Sequence, residues 1–326
     1  MDSHSKVGLA PFPHDRDSSP QVIELDKAAP GLSRLVSADA PLDRLHHSMS
    51  FGEGPLWNRR DGSFFWVDIV GDTIYRWQPG RNAEAFIRPS GKANGLTFDR
   101  EGRLCVAGWA SRTVWRVEAD GSTKTLASHY QGKKINSPND IVVRSDGSIY
   151  FTDSPGALIN VGMAAEDLQQ YLDFQGVFRI APDGGTDADA GGALDAVVTD
   201  TVYPNGLVFA PDESVLYVND TRLCEIRAYD MRPDGGCGPK RLFHTLTGTE
   251  PGVADGMKVD REGNLYCTGP GGVHVIAPDG KLLGRIRIPD HCTNIAWGDA
   301  DWRSLYITTY HFVFRTRVNV PGVAVW

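Results

Sequence analysis

Asn94-Gly95-Leu96-Thr97-Phe98, followed by Glu101-Gly102-Arg103-Leu104-Cys105-Val106, reads as two short strands joined by a tight acidic-glycine turn. The same unit returns at Asn139-Asp140-Ile141-Val142-Val143 with Asp146-Gly147 and 148–151. It returns again at Asn205-Gly206-Leu207-Val208-Phe209 with 214–218, and at Asp255-Gly256-Met257-Lys258-Val259 with 263–267. Each copy sets a polar residue at a fixed place ahead of a strand. In three of the copies a glycine stands beside it, at 95, 206 and 256, and is read as turn chemistry, supplying a positive φ.

Counted from Glu53, the units open near 53, 94, 139, 205, 255 and 294. Most of these intervals are close to the roughly 40–50 residues of a four-stranded propeller blade. The interval from Asn139 to Asn205 is too long, and its surplus lies in 155–174, where 164–171 is expected to make a short helix or lid. Outer strands such as Thr113-Val114-Trp115-Arg116-Val117 and Val273-His274-Val275-Ile276 run into further Asp-Gly turns. A strand before Glu53, at 44–49, is expected to complete the last unit and close the ring. The expected fold is all-β, a six-bladed β-propeller formed as one domain by residues 26–326. Residues 1–25, rich in Ser, Pro, Asp and His, are expected to be a disordered extension.

Bulk properties narrow the function. A formal charge of −8 offers no basic surface for phosphates, which argues against nucleic-acid binding. No apolar run approaches a membrane span, and no apolar signal core follows Met1. The five cysteines are odd in number and contain no Cys-x-x-Cys pair, which fits free buried thiols in a reducing compartment better than a disulfide framework or a thiolate zinc site. The expectation is a cytoplasmic protein, monomeric or weakly homo-oligomeric, that acts on a small molecule without nucleic-acid or membrane partners.

In a propeller the innermost strands line a central channel, and equivalent residues of different repeats meet at its mouth. Glu53, Asn139, Asn205 and Asp255 each stand near the start of an inner strand. They offer carboxylate and amide oxygens without His or Cys, a donor set suited to a hard divalent cation such as Ca²⁺, Mg²⁺ or Mn²⁺. Asn and Asp are also ordinary turn formers, and for Asn94 the turn reading weighs more. Glu53, in Phe51-Gly52-Glu53-Gly54-Pro55-Leu56-Trp57, is not a preferred turn former. Asp153 and Asp220 either line the channel or hydrogen-bond backbone between blades.

Together, Glu53-Gly54-Pro55-Leu56-Trp57, Ser137-Pro138-Asn139-Asp140, Phe151-Thr152-Asp153, Pro204-Asn205-Gly206-Leu207 and Asp255-Gly256-Met257 resemble the gluconolactonase, senescence-marker-protein (regucalcin) and luciferin-regenerating-enzyme family, over about residues 45–315. The resemblance implies a six-bladed propeller with one catalytic divalent ion at the channel mouth, Ca²⁺ first, with Mg²⁺, Mn²⁺, Zn²⁺ or Fe²⁺ as alternatives. It carries the metal-binding Glu, Asn and Asp to Glu53, Asn205 and Asp255, and a further active-site Asn, touching substrate or metal, to Asn139. Two places depart from the family's pattern. Cys105-Val106-Ala107-Gly108-Trp109 stands where bacterial gluconolactonase-like members often have a His-Gly pair, and Ser137 stands where regucalcin-like members have Arg. Trp109, with Met163, Leu168, Tyr171 and Phe174 of the insertion, is expected to make the pocket more apolar, and Asn94 and Trp109 are candidate substrate contacts.

The leading expectation is metal-dependent lactone hydrolysis, with Asp255 as base and ligand and Asn139 orienting the carbonyl or stabilising the oxyanion. Hydrolysis of a phosphotriester or aryl ester uses the same polarised centre. A third reading is non-catalytic, a calcium-binding or protein-interaction propeller. No Gly-x-Ser-x-Gly elbow is present, which argues against an α/β-hydrolase. The scattered histidines read as structural or surface groups, with His291 and His311 nearest the mouth if one serves as proton shuttle.

Overall fold

Blades pack face to face, so both faces of the inner strands are buried against neighbouring blades, and the strand order follows the repeat. The computed structural model describes residues 21–27, 29–182 and 194–326. Among these the chain forms six antiparallel sheets of four or five strands, each a propeller blade, plus one two-stranded hairpin. The innermost strands are Gly52–Asn58, Leu96–Phe98, Pro138–Val143, Pro204–Phe209, Met257–Val259 and Cys292–Gly298. These match the six units read from the sequence. Apolar side chains such as Phe64, Phe151, Phe178, Leu216, Leu265 and Ile307 are buried between the blades.

The glycine of the Asn-Gly cadence has a different cause from the one expected. Gly95 and Gly206 do not have positive φ. A Cβ on Gly95 would stand 2.6 Å from the Asn139 carbonyl oxygen, and one on Gly206 would stand 2.3 Å from that of Asp255. The glycine lets each inner strand approach the next blade's mouth residue, and the Gly95 N–H donates to the Asn139 carbonyl at 2.8 Å. The motif is therefore a joint between blades rather than a turn.

Ring closure comes from the N-terminal side, three residues earlier than expected. Pro41–His46 pairs with Val313–Arg317 to complete the sixth blade. Of the extension placed at 1–25, residues 1–20 lie outside the described residues, but 21–25 are built into the sheets. Gln21–Val22 adds a strand beside Pro41–His46, and Glu24–Lys27 adds one to the fifth blade by pairing with Leu282–Arg287. Arg285 and Arg287 both reach Asp26, at 2.8 and 2.9 Å, and both reach Glu250.

The helix expected over 164–171 is absent. A single helical turn lies earlier, at Gly156–Ile159, and 160–172 follows as an irregular strap. The reason is local: the buried guanidinium of Arg112 donates from Nη1 to the carbonyls of Asp167 and Gln169, both at 2.9 Å. A helix would require those acceptors for its own N–H groups. At the opposite end of the channel the C-terminal residues cross the ring. Val323 N–H donates to Val259, Trp326 Nε1 donates to Val143, and a cavity of about 410 Å³ lies above them.

Candidate active site at the channel mouth

All six blades and the strap enclose a cavity of about 300 Å³ whose wall includes Glu53, Asn94, Trp109, Asn139, Asn205 and Asp255. The ring thus brings Glu53, Asn139, Asn205 and Asp255, and the expected substrate contacts Asn94 and Trp109, to one wall. Glu53 is placed by a bulge in its strand, where Gly54 at φ +54° turns the backbone. Its Oε2 accepts the Gly54 N–H at 2.8 Å and the Asn294 amide at 3.0 Å. Asn294 belongs to the sixth unit, so the last blade orients the first blade's carboxylate.

Asp255 is held through its backbone, whose carbonyl accepts the side-chain amide of Asn219. The amide of Asn205 donates to Thr221 Oγ1 at 3.1 Å and also faces the Asp255 carboxylate. Burial pushes the Glu53 carboxyl up to about 7, with the negative charge of Asp140 adding to the effect. Burial, then the charge of Glu53, holds Asp255 well above the usual carboxylate range. The amide oxygens of Asn94 and Asn205 are buried and accept no hydrogen bond among the described residues.

These observations test the site for a cation. Among the described residues no group of three or more His, Cys, Asp or Glu side chains is arranged to hold a metal. The donors converging here are two carboxylates and several amide oxygens, the ligand types of hard divalent ions. Two buried carboxylates that repel each other beside unpartnered amide oxygens fit a positive charge in the cavity.

The remaining wall was not read from the sequence. Phe51, Ile69, Ile159, Asn160, Tyr203, Thr221, Arg222, Val253 and Tyr310 also line it. Phe51 and Tyr310 pack with ring centroids 4.4 Å apart, and Asn160 donates to the Tyr203 hydroxyl at 3.1 Å. Of the apolar residues expected from the insertion, Met163 reaches the cavity. Leu168 and Tyr171 are exposed, and Phe174 packs against the core of blades two and three. Trp109 is wedged beneath the helical turn, with Nε1 donating to the Met163 carbonyl at 2.9 Å. Ser137 bridges this wedge, donating to the Trp109 carbonyl and accepting the Ala157 N–H, both at 3.2 Å.

Asp153 and Asp220 do not line the cavity, and each ties loops to its own blade. Asp153 accepts the N–H groups of Asn136 and Ser137, and Asp220 those of Val202, Tyr203, Arg222 and Leu223. His291 stacks behind Tyr310 at 4.1 Å and His311 lies 3.2 Å from Asp290, so neither forms part of the cavity wall. All five cysteines are free. No helix among the described residues is long and apolar enough to cross a membrane.

Comparison with known proteins places this geometry. Residues 51–311 match the model of the SMP-30/gluconolactonase/LRE-like region. A gluconolactonase from Zymomonas mobilis is 28% identical over 92% of this chain and 87% of its own length. The structure of a gluconolactonase from Xanthomonas campestris superposes with a TM-score of 0.82 at 31% identity, covering 92% of this chain and 95% of that one. A calcium-binding protein, regucalcin, from Agrobacterium tumefaciens shares the fold, with a TM-score of 0.66 at 18% identity over 84% of this chain and 92% of that one.

Proposed function

Because this chain belongs to the SMP-30/gluconolactonase/LRE-like family, we propose that it is a metal-dependent lactonase acting on sugar lactones. The supporting observation is the convergence of Glu53, Asp255 and the amides of Asn139 and Asn205 in one cavity with aromatic walls. Glu53, Asn205 and Asp255, with Asn139 beside them, would hold a divalent ion, Ca²⁺ first, which when bound supplies Lewis-acid polarisation of the ring carbonyl. The Asp255 carboxylate accepts the proton of the attacking water as the new C–O bond forms. It returns that proton to the ring oxygen as the ring C–O bond breaks, leaving the open-chain hydroxy acid. Asn139 donates its amide N–H to the developing oxyanion. Phe51, Tyr310 and Trp109 pack against the ring's C–H faces and exclude bulk water.

The experiment is hydrolysis of sugar lactones, aliphatic lactones and aryl esters by chelator-stripped protein, with Ca²⁺, Mg²⁺, Mn²⁺ and Zn²⁺ added back singly. Sugar-lactone turnover restored by metal is expected, with a loss of about 10²–10⁴-fold in Asp255→Asn. Stoichiometric ion binding without turnover of any substrate would instead mark a binding protein, and unchanged activity in Asp255→Asn would remove that residue from the chemistry.

A further inference from the structure

The cavity has acidic groups on its floor, Glu53 and Asp255, and among its described lining residues a single basic side chain, Arg222. Arg222 is exposed at the rim, and among the described residues no carboxylate forms an ion pair with it. Many arginines elsewhere on the blades are paired, as Arg227 is to Glu225, Arg285 to Asp26 and Glu250, and Arg315 to Asp43. The backbone beneath Arg222 is fixed. Asp220 accepts its N–H at 3.1 Å together with those of Val202, Tyr203 and Leu223, and Thr221 N–H donates to the Tyr203 carbonyl at 2.9 Å. A guanidinium on a rigid turn at the mouth of a reactive cavity has a planar fork of donors available for an oxyanion.

We propose that Arg222 forms a subsite for an anionic substituent, a carboxylate, phosphate or sulfonate, carried by the lactone away from its ring carbonyl. This inference rests on the lactonase reading of the same cavity. The division of the cavity supports it: the reacting carbonyl belongs with the floor groups, and the rim can then read a charge at the far end of the molecule. The protein as a whole is acidic, at −8, so long-range attraction does not draw in anions and discrimination falls to this local contact.

The test compares D-glucono-1,5-lactone with its 6-phosphate and with a glucarolactone, in the wild type, Arg222→Met and Arg222→Lys, at equal added Ca²⁺. The wild type is expected to show a KM for the anionic lactones about tenfold or more below that for the neutral one, because a charge-assisted contact is involved. Arg222→Met should erase that ratio through KM rather than kcat, and Arg222→Lys should keep part of it. If phosphate and carboxylate substrates differ, the ratio for each identifies which group the fork prefers. A wild-type ratio near one, or a ratio changed less than about twofold in Arg222→Met, would overturn the subsite. If no lactone is opened at all, the lactonase reading fails and calorimetric titration with 6-phosphogluconate against gluconate decides the subsite separately: tighter binding of the phosphate, lost in Arg222→Met, supports it, and equal binding overturns it.

Discussion

Two carboxylates buried in one cavity strain the protein at the level of single residues, since burial raises the proton affinity of both and the charge of Glu53 raises that of Asp255 further. Glu53→Gln keeps the shape and removes one charge. The chelated variant should therefore melt roughly 2–4 °C above the chelated wild type while losing activity, a difference read by calorimetry. A melting point at or below the wild type's would contradict the account. A second residue-scale effect lies far from the site. His274 is fully buried, its Nε2 lies 3.0 Å from the Pro270 carbonyl, and its Nδ1 has no partner among the described residues. Burial lowers its pKa to about 4. Below an unfolded value near 6.5 the unfolded chain takes up the proton first, so this contribution to stability is complete above 6.5 and is lost as the pH falls toward 4. Between pH 7 and pH 5 the wild type should lose about 2 kcal/mol more than His274→Gln in urea unfolding.

Among elements, the strap over 160–172 shows where sequence reading succeeds and fails. Strands were legible because a two-residue alternation and an Asp-Gly turn are local, and six copies reinforced one another. That Glu53, Asn139, Asn205 and Asp255 become neighbours was legible because they recur at one place in the repeat. The strap was not, since 164–171 has a helix-compatible composition and the Arg112 guanidinium that claims its carbonyls comes from another blade. Tyr203, Arg222 and Tyr310 went unread for the same reason: they sit in loops between strands, and only closure of the ring turns them toward the cavity. Arg112→Met should leave the carbonyls of Ile135, Asp167 and Gln169 without their donor. The expected cost is about 2–4 kcal/mol in unfolding free energy, with faster amide exchange confined to 160–172. Exchange rising evenly over all six blades would show that Arg112 supports the core rather than the strap.

For the whole molecule, closure depends on the N-terminal side. The strand Glu24–Lys27 covers the outer edge of the fifth blade, and Asp26 bridges Arg285 and Arg287. Deletion of residues 1–30 should expose that edge, lowering the melting temperature and promoting self-association while the inner strands and their activity per folded molecule persist. Light scattering alongside activity measurements separates these effects, and equal loss of both would mean that the strand shapes the cavity.

Pairing of Arg315 with Asp43 spans 272 positions of the chain. During synthesis at about 5–20 residues per second, the strand Pro41–His46 is made on the order of 15–50 seconds before its neighbour exists. Through that interval Pro41–His46 lacks its partner Val313–Arg317, and any other strand-bearing chain nearby can pair with its free edge. The ribosome must release nearly the entire polypeptide before the ring can close, so a product that stops short of Val313 leaves an open, adhesive arc rather than a slightly smaller propeller.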